Sequence, residues 1–264
     1  MTICIAAIGK EGKDEVIVAA TDHMITMGNL GQFEHTISKY KELNKNTIAM
    51  LSGIPLLFDD LIQMPGNNLT YFEIKAQIKK NFKSKRNEIF QDHVLDLYGM
   101  TWERFVDAVE KPFPNPLIEE IMKQNNKFKL KSSVLLAGFD GDKAIISEIS
   151  ERTYADFRDM NSHAIGSGSI QAVNTLMFQK HDKSDTLNTT IYDVYKAKRN
   201  AEVAQGVGKE TELIVLTKGK GCRTITSESF KLLKEIYDNE VKQGRTHSQL
   251  KSLKFSSGGA GPCS

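Results

Sequence analysis

Apolar and polar positions change their period twice along the chain. "ICIAAIG" and "EVIVAAT" are short β-branched runs joined by the turn "KEGKD", which predicts a hairpin. "TISKYKEL" and "NTIAMLSG" form a second pair of strands, turning at Asn44-Lys45-Asn46. After Gly53 the apolar residues fall three and four apart. "IPLLFDDLIQM" reads as helix, and residues 70–126 read almost wholly as helix, with a stop at Gly99 and a cap at Thr101. Strand character returns in "SSVLLAGFD", "KAIISEIS", "RTYADFRD" and "SHAIG", with tight turns at Asp140-Gly141 and Ser150-Glu151. Two amphipathic helices ("SGSIQAVNTLMFQKH" and "NTTIYDVYKAKRNAEVAQG"), the strand pair "TELIVLTKG" and "CRTITS", and a closing helix follow. Grouped strands and grouped helices predict α+β layers around antiparallel sheets, not alternating βαβ units. One domain is expected over residues 1–250, with a helical insertion at about 66–127 and a flexible tail at 251–264.

Charge adds little. The 35 basic and 33 acidic residues leave a formal charge of +2, spread along the chain, so no nucleic-acid or anionic-membrane surface is expected. The densest basic run, Lys79 to Arg86, reads as the solvated face of a helix. Cys4, Cys222 and Cys263 have no metal-type spacing and imply no disulfide framework; Cys4 reads as a small core residue. No His/Cys/carboxylate cluster has ligand spacing, so neither metal nor organic cofactor is expected. There is no basic region followed by a long apolar stretch and no run near the roughly 20 apolar residues of a bilayer span. The expected compartment is the cytoplasm.

Thr2 is the residue with the most chemistry to offer. A threonine hydroxyl is a weak nucleophile and needs a base. Once Met1 is removed, the threonine's own α-amine, titrating at about 7.7–8.0, can serve as that base near neutral pH. Met1-Thr2 by itself also reads as an ordinary strand start.

The segment "TICIAAIGKEGKDEVIVAATDHMITMGN" resembles the opening of proteasome β-type subunits: nucleophilic threonine, strand, turn, strand, then an Ala-Thr-acid motif ahead of Thr-Met. "SKYKEL" followed by "TIAMLSG" resembles that family's lysine strand and the strand ending in its oxyanion glycine, with Lys39 14 residues before Gly53. "AGFDGDKAIISEIS", "AIGSGS" and "AKRNAEVAQGVGKETELIVLT" resemble its second half, so the likeness runs over roughly residues 2 to 240.

The resemblance implies a four-layer αββα sandwich of the N-terminal-nucleophile (Ntn) hydrolase type, carrying the helical insertion. It also implies a threonine peptidase that cleaves amide bonds through an acyl-threonine, without a cofactor. Thr2, Asp22, Lys39, Gly53, Ser167 and Glu202 are the expected catalytic set. A buried Lys39 keeps the site electropositive and Asp22 orients it. Gly53 offers its N–H to an oxyanion. In Gly166-Ser167-Gly168-Ser169, the first serine is expected by the Thr2 amine and the second as a helix cap. Glu202 and Gln205 stand where active subunits carry an aspartate and a serine, and Met24 where they carry an arginine-like residue. Met24, Ile25, Thr26 and Leu51 are the expected substrate pocket. Partners are a peptide or protein substrate and copies of the same chain, as a ring or a dimer. Two other functions remain open: a peptide ligase on the same fold, in which an amine resolves the acyl-enzyme, and a non-catalytic assembly subunit.

Overall fold

The first hairpin sets the frame for everything around Thr2. Strands β1 (Ile3–Glu11) and β2 (Asp14–Asp22) pair antiparallel from Cys4↔Thr21 to Glu11↔Asp14, turning through Gly12 at φ 68°. Both strands are almost fully buried. The computed structural model describes residues 2–26, 31–35, 37–66, 68–112 and 115–245, and the structure below refers to these. It is α+β, 42% helix and 30% strand. The remaining strands are β3 (Met24–Thr26), β4 (Gln32–Glu34), β5 (Tyr40–Asn44), β6 (Thr47–Ser52), β7 (Ser133–Asp140), β8 (Lys143–Ser150), β9 (Tyr154–Asp156), β10 (Ser162–Gly166), β11 (Thr211–Thr217) and β12 (Gly221–Thr224). The helices are α1 (Phe58–Leu61), α2 (Tyr71–Phe90), α3 (Trp102–Val109), α4 (Pro116–Lys127), α5 (Ser169–Phe178), α6 (Leu187–Ala201) and α7 (Ser227–Arg245).

Two five-stranded antiparallel sheets result, ordered β10-β1-β2-β11-β12 and β5-β6-β7-β8-β9, with β3-β4 as a separate hairpin. Strand alternation decides what each face meets. Ile48 and Met50 of β6 join Leu135, Ala137 and Ile146 against Cys4, Ala6, Ile8, Ile17 and Ala19 of the first sheet. Their neighbours Ala49 and Leu51, with Val134, Leu136 and Ile145, face the other way onto Tyr71, Ile74, Ile78 and Phe82 of α2. The outer face of the first sheet meets α5 and α6. Gly9 permits that approach, because an added Cβ would lie 2.9 Å from Thr190 Cβ.

The helical segment is built as its residues specify. Thr70 and Glu73 form a reciprocal capping box on α2. Thr101 and Asn115 cap α3 and α4, and Gly99 takes the left-handed conformation at φ 61°. Beyond the part of α2 that lies on the sheet, Phe90, Leu95, Phe105, Ile118 and Ile121 make a small core of their own. The Phe90 ring lies edge-on to Trp102 and Phe128, with centroids 6.1 and 5.5 Å apart. Phe90→Ala is expected to destabilise this segment by about 3–5 kcal/mol. Hydrogen exchange should show the loss in residues 90–128 and leave β1 protection unchanged.

Four expectations need correction. Strand β5 begins at Tyr40, not in the "TIS" stretch, and Thr36 lies outside the described residues. Ser38 Oγ accepts from Tyr40 N and donates to Glu212 at 2.8 Å, and such local bonds compete with a ladder. The helix expected after Gly53 is only a 3₁₀ turn, Pro55–Leu57, and the single turn α1. The Lys79–Arg86 run is largely paired: Lys79 donates to the Ser150 and Glu151 carbonyls, Lys85 meets Asp60 and Glu88, and Arg86 meets Glu151 at 2.7 Å. Ser169 does not cap α5. Gly168 holds the cap position with no side-chain bond, since a Cβ there would crowd Val207 and Ala201 at 2.9 and 3.0 Å.

Contacts divide the chain into two units, residues 1–224 and 225–264. In the second, Thr226 caps α7 by accepting from Ser229 N. The expected tail at 251–264, with Cys263, lies outside the described residues. Among the described residues no helix is long and apolar enough to cross a membrane.

Candidate active site

Register places the first residues. Ile3 pairs with Gly166 on one side while Cys4 pairs with Thr21 on the other, so Thr2 emerges between the end of β10 and the end of β2. Thr2 is 3% exposed and Asp22 not at all. The Thr2 hydroxyl donates to Asp22 Oδ1 and accepts from Lys39 Nζ. Lys39 also donates to Asp22 Oδ1 at 2.7 Å and to the Met24 carbonyl, which gives each of its three protons an acceptor. Lys39 sits one residue ahead of β5 and not within a strand. Its carbonyl still accepts from Leu51 N at 3.0 Å, which fixes its backbone against β6.

Asp22 is held from every side. Oδ1 further accepts from Ile3 N at 3.2 Å, and Oδ2 accepts from Gly208 N at 2.7 Å. A carboxylate buried this deeply is tolerable only because it is paired and hydrogen-bonded throughout.

Gly53 lies at the mouth of the same pocket, at φ 130°. That conformation and the closeness of the Lys131 carbonyl, 2.6 Å from where a Cβ would be, both require glycine. Met24, Ile25, Ile37, Leu51, Pro55 and Phe58 make the pocket's apolar wall, with Thr2, Ser38, Lys39 and Gly53 as its polar part. Three of the four expected pocket residues are thus gathered there. The side chain of the fourth, Thr26, lies outside the described set, although its backbone pairs with Gln32.

Ser167 approaches from β10, but its hydroxyl donates to the Thr2 carbonyl at 3.4 Å, not to the amine. Glu202 does not reach Thr2. It caps the end of α6 and accepts from Lys198 at 2.7 Å and Arg199 at 3.2 Å. Lys198 is fully buried and also donates to the Gly208 and Lys209 carbonyls at 2.9 and 2.8 Å. Burial pushes its ammonium below the usual lysine range, and Glu202 pulls the other way. Glu202 therefore acts on the loop whose Gly208 N–H grips Asp22. Gln205 is exposed.

Lys198, Gly208 and Glu34 bear on the site beyond the residues expected from the sequence. Glu34 of β4 accepts from the backbone N–H groups of Lys209 and Glu210 and so fastens the same loop. The available signal was a lysine four residues before Glu202 on one helix face.

Cys4, two residues from Thr2, is no rival nucleophile. It is buried, its thiol donates to the Leu51 carbonyl at 3.4 Å, and burial pushes its pKa up. The arrangement therefore presents one hydroxyl, between a carboxylate and an ammonium, at the floor of an apolar pocket. Compared with known proteins, the chain matches no family model and no curated sequence.

Proposed function

We propose that this chain is an Ntn hydrolase of the proteasome type, whose nucleophile is Thr2. The contact of the Thr2 hydroxyl with both Asp22 and Lys39 carries the proposal. The packing of α2 on one sheet, of α5 and α6 on the other, and of the sheets on each other supports an αββα sandwich.

The reaction requires a free Thr2 α-amine, and hence removal of whatever precedes Thr2. Thr2 Oγ attacks the carbonyl carbon of an amide, and its proton passes to the α-amine, directly or through water. The Lys39 charge favours the developing alkoxide, and the Gly53 N–H stabilises the oxyanion. Collapse of the tetrahedral intermediate breaks the C–N bond, with the amine departing as it takes up the proton. Water then cleaves the acyl-threonine ester. An apolar substrate side chain packs against Met24, Ile25 and Leu51.

Self-association belongs to the same reading: α5 leaves Ile170, Met177 and Phe178 exposed, a face of the kind subunit contacts use.

Intact mass of the protein from its native host is the first test, with Thr2 expected as the N-terminal residue. A peptide epoxyketone, which needs both hydroxyl and amine, is then expected to label wild type stoichiometrically and Thr2→Ala not at all. Retention of Met1 in the whole population, or equal labelling of Thr2→Ala, would overturn the proposal.

A further inference from the structure

The segment between α5 and α6 folds back over β1 and brings together three side chains that are distant from the Thr2 pocket. The His181 side chain is completely buried, and its Nε2 lies 3.0 Å from the Ile8 carbonyl. A carbonyl only accepts, so Nε2 carries a proton and donates it. The other ring nitrogen, Nδ1, faces two carboxylate oxygens: Asp193 Oδ2 at 3.3 Å and Asp185 Oδ2 at 3.4 Å. The three ligand atoms all lie within 4.8 Å of one another.

Two explanations compete. In one, Nδ1 is also protonated and the cluster is an ion pair. A single proton points at one oxygen at a time, and both separations exceed the roughly 2.7–2.9 Å of a charge-assisted hydrogen bond. In the other, a cation occupies the space between the groups. For a tetrahedral site with metal–ligand bonds of about 2.0–2.1 Å, the ligand–ligand edge is about 3.3–3.4 Å. The two separations from His181 Nδ1 match that edge, and the Asp185 and Asp193 oxygens lie within 4.8 Å of each other.

The surroundings fit as well. A metal-bound histidine commonly donates its second N–H to a backbone carbonyl, as His181 does to Ile8. Asp185 Oδ2 is steadied by Asp182 N at 2.8 Å. Side-chain exposure rises from 0% at His181 and 7% at Asp193 to 30% at Asp185, so the cluster meets solvent on its Asp185 side. One imidazole with two carboxylates suits zinc among first-row cations. Magnesium prefers octahedral all-oxygen sites with several waters, and calcium six to eight oxygens.

We propose that His181 Nδ1, Asp185 and Asp193 bind a divalent zinc-class metal ion. No ligand spacing announces it, because His181 and Asp185 lie on the connecting loop and Asp193 two turns along α6. The ion ties β1, the loop and α6 together. Its role is structural, since Ile8 lies six residues along β1 from Thr2, about 20 Å away. The inference is independent of the acyl chemistry proposed for Thr2.

The test uses the full chain after chelator treatment, with Co²⁺ and Zn²⁺ as probes. Co²⁺ is expected to give the intense visible d–d bands of a four-coordinate site, and Zn²⁺ to bleach them and raise the melting temperature with concentration. Asp185→Asn, at the exposed edge, is expected to keep the wild-type circular dichroism and to lose at least tenfold in Zn²⁺ affinity. A Co²⁺ spectrum like that of the aqueous ion, with no Zn²⁺-dependent stabilisation, would identify the cluster as an ion pair and overturn the proposal. An undiminished response in Asp185→Asn would place the metal elsewhere and overturn it equally.

Discussion

Lys39→Ala is expected to lower the rate of epoxyketone labelling at Thr2 on the order of 10³-fold, the scale of losing one electrostatic stabiliser or acid–base partner. The substitution removes the only ammonium that touches the Thr2 hydroxyl among the described residues and leaves that hydroxyl donating to Asp22. The fold is expected to survive at a lowered melting temperature, because Asp22 loses its cation but keeps three donors: Thr2 Oγ, Ile3 N and Gly208 N. Lys39→Arg is expected to rescue little. Its planar fork cannot direct donors at Thr2 Oγ, Asp22 Oδ1 and the Met24 carbonyl from one atom. Circular dichroism and melting temperature check the fold, and labelling followed by mass spectrometry checks the chemistry. Wild-type rates in Lys39→Ala would remove the lysine from the mechanism.

Gly166→Ala is expected to cost about 3 kcal/mol, adding backbone strain to overpacking. Gly166 has φ 105°, outside the range that a side chain tolerates. A Cβ there would also press into the Thr2 carbonyl group, 2.9 Å from its carbon, and lie 3.1 Å from Ser52 Oγ. Relief requires β10 to move away from β1 at the Ile3↔Gly166 pair, which carries Thr2 with it. A fall in melting temperature of roughly 6–12 °C is expected for a unit of this size, together with loss of labelling. A variant that melts normally and labels normally would contradict this account of how Thr2 is positioned. Gly141 is the control, since at φ 58° it too is strained by a side chain but meets nothing within 4 Å. Gly141→Ala should lose stability without losing labelling.

What the chain discloses in advance depends on how local the cause is. Strands β1, β2, β6, β7 and β8 are legible because each buries β-branched or apolar residues in an unbroken run. The cap of α3 at Thr101 is legible because it is three-residue chemistry. Asp22 at Thr2 follows from the hairpin register alone. Lys39 is legible as a partner but not as a residue outside a strand, because the competing bond comes from Ser38 to Glu212, 174 residues away. Glu202 draws notice by its position along α6, yet its meaning lies in Lys198 and the Gly208 loop. The His181 cluster is invisible for the same reason, since no fixed spacing announces a loop that folds over another strand. Close approach hides likewise: Gly9, Gly166 and Gly168 are each dictated by a neighbour remote in the chain.

The order in which these parts occur along the chain has a further consequence for synthesis. Thr2, Asp22 and Lys39 lie within the first 39 residues, but Gly166, against which Thr2 packs, and Gly208, whose N–H orients Asp22, come much later. β1 gains its outer partner only when β10 has been made, and β2 only when β11 has been made. A nascent chain emerging from the ribosome therefore carries Thr2 long before it can hold it in place. Such distant pairings close slowly and late in folding. The same long separations that slow folding delay the placement of the Thr2 hydroxyl until nearly the whole of residues 1–224 has been translated, so under the proposed chemistry an unfinished chain has no formed site with which to attack its neighbours.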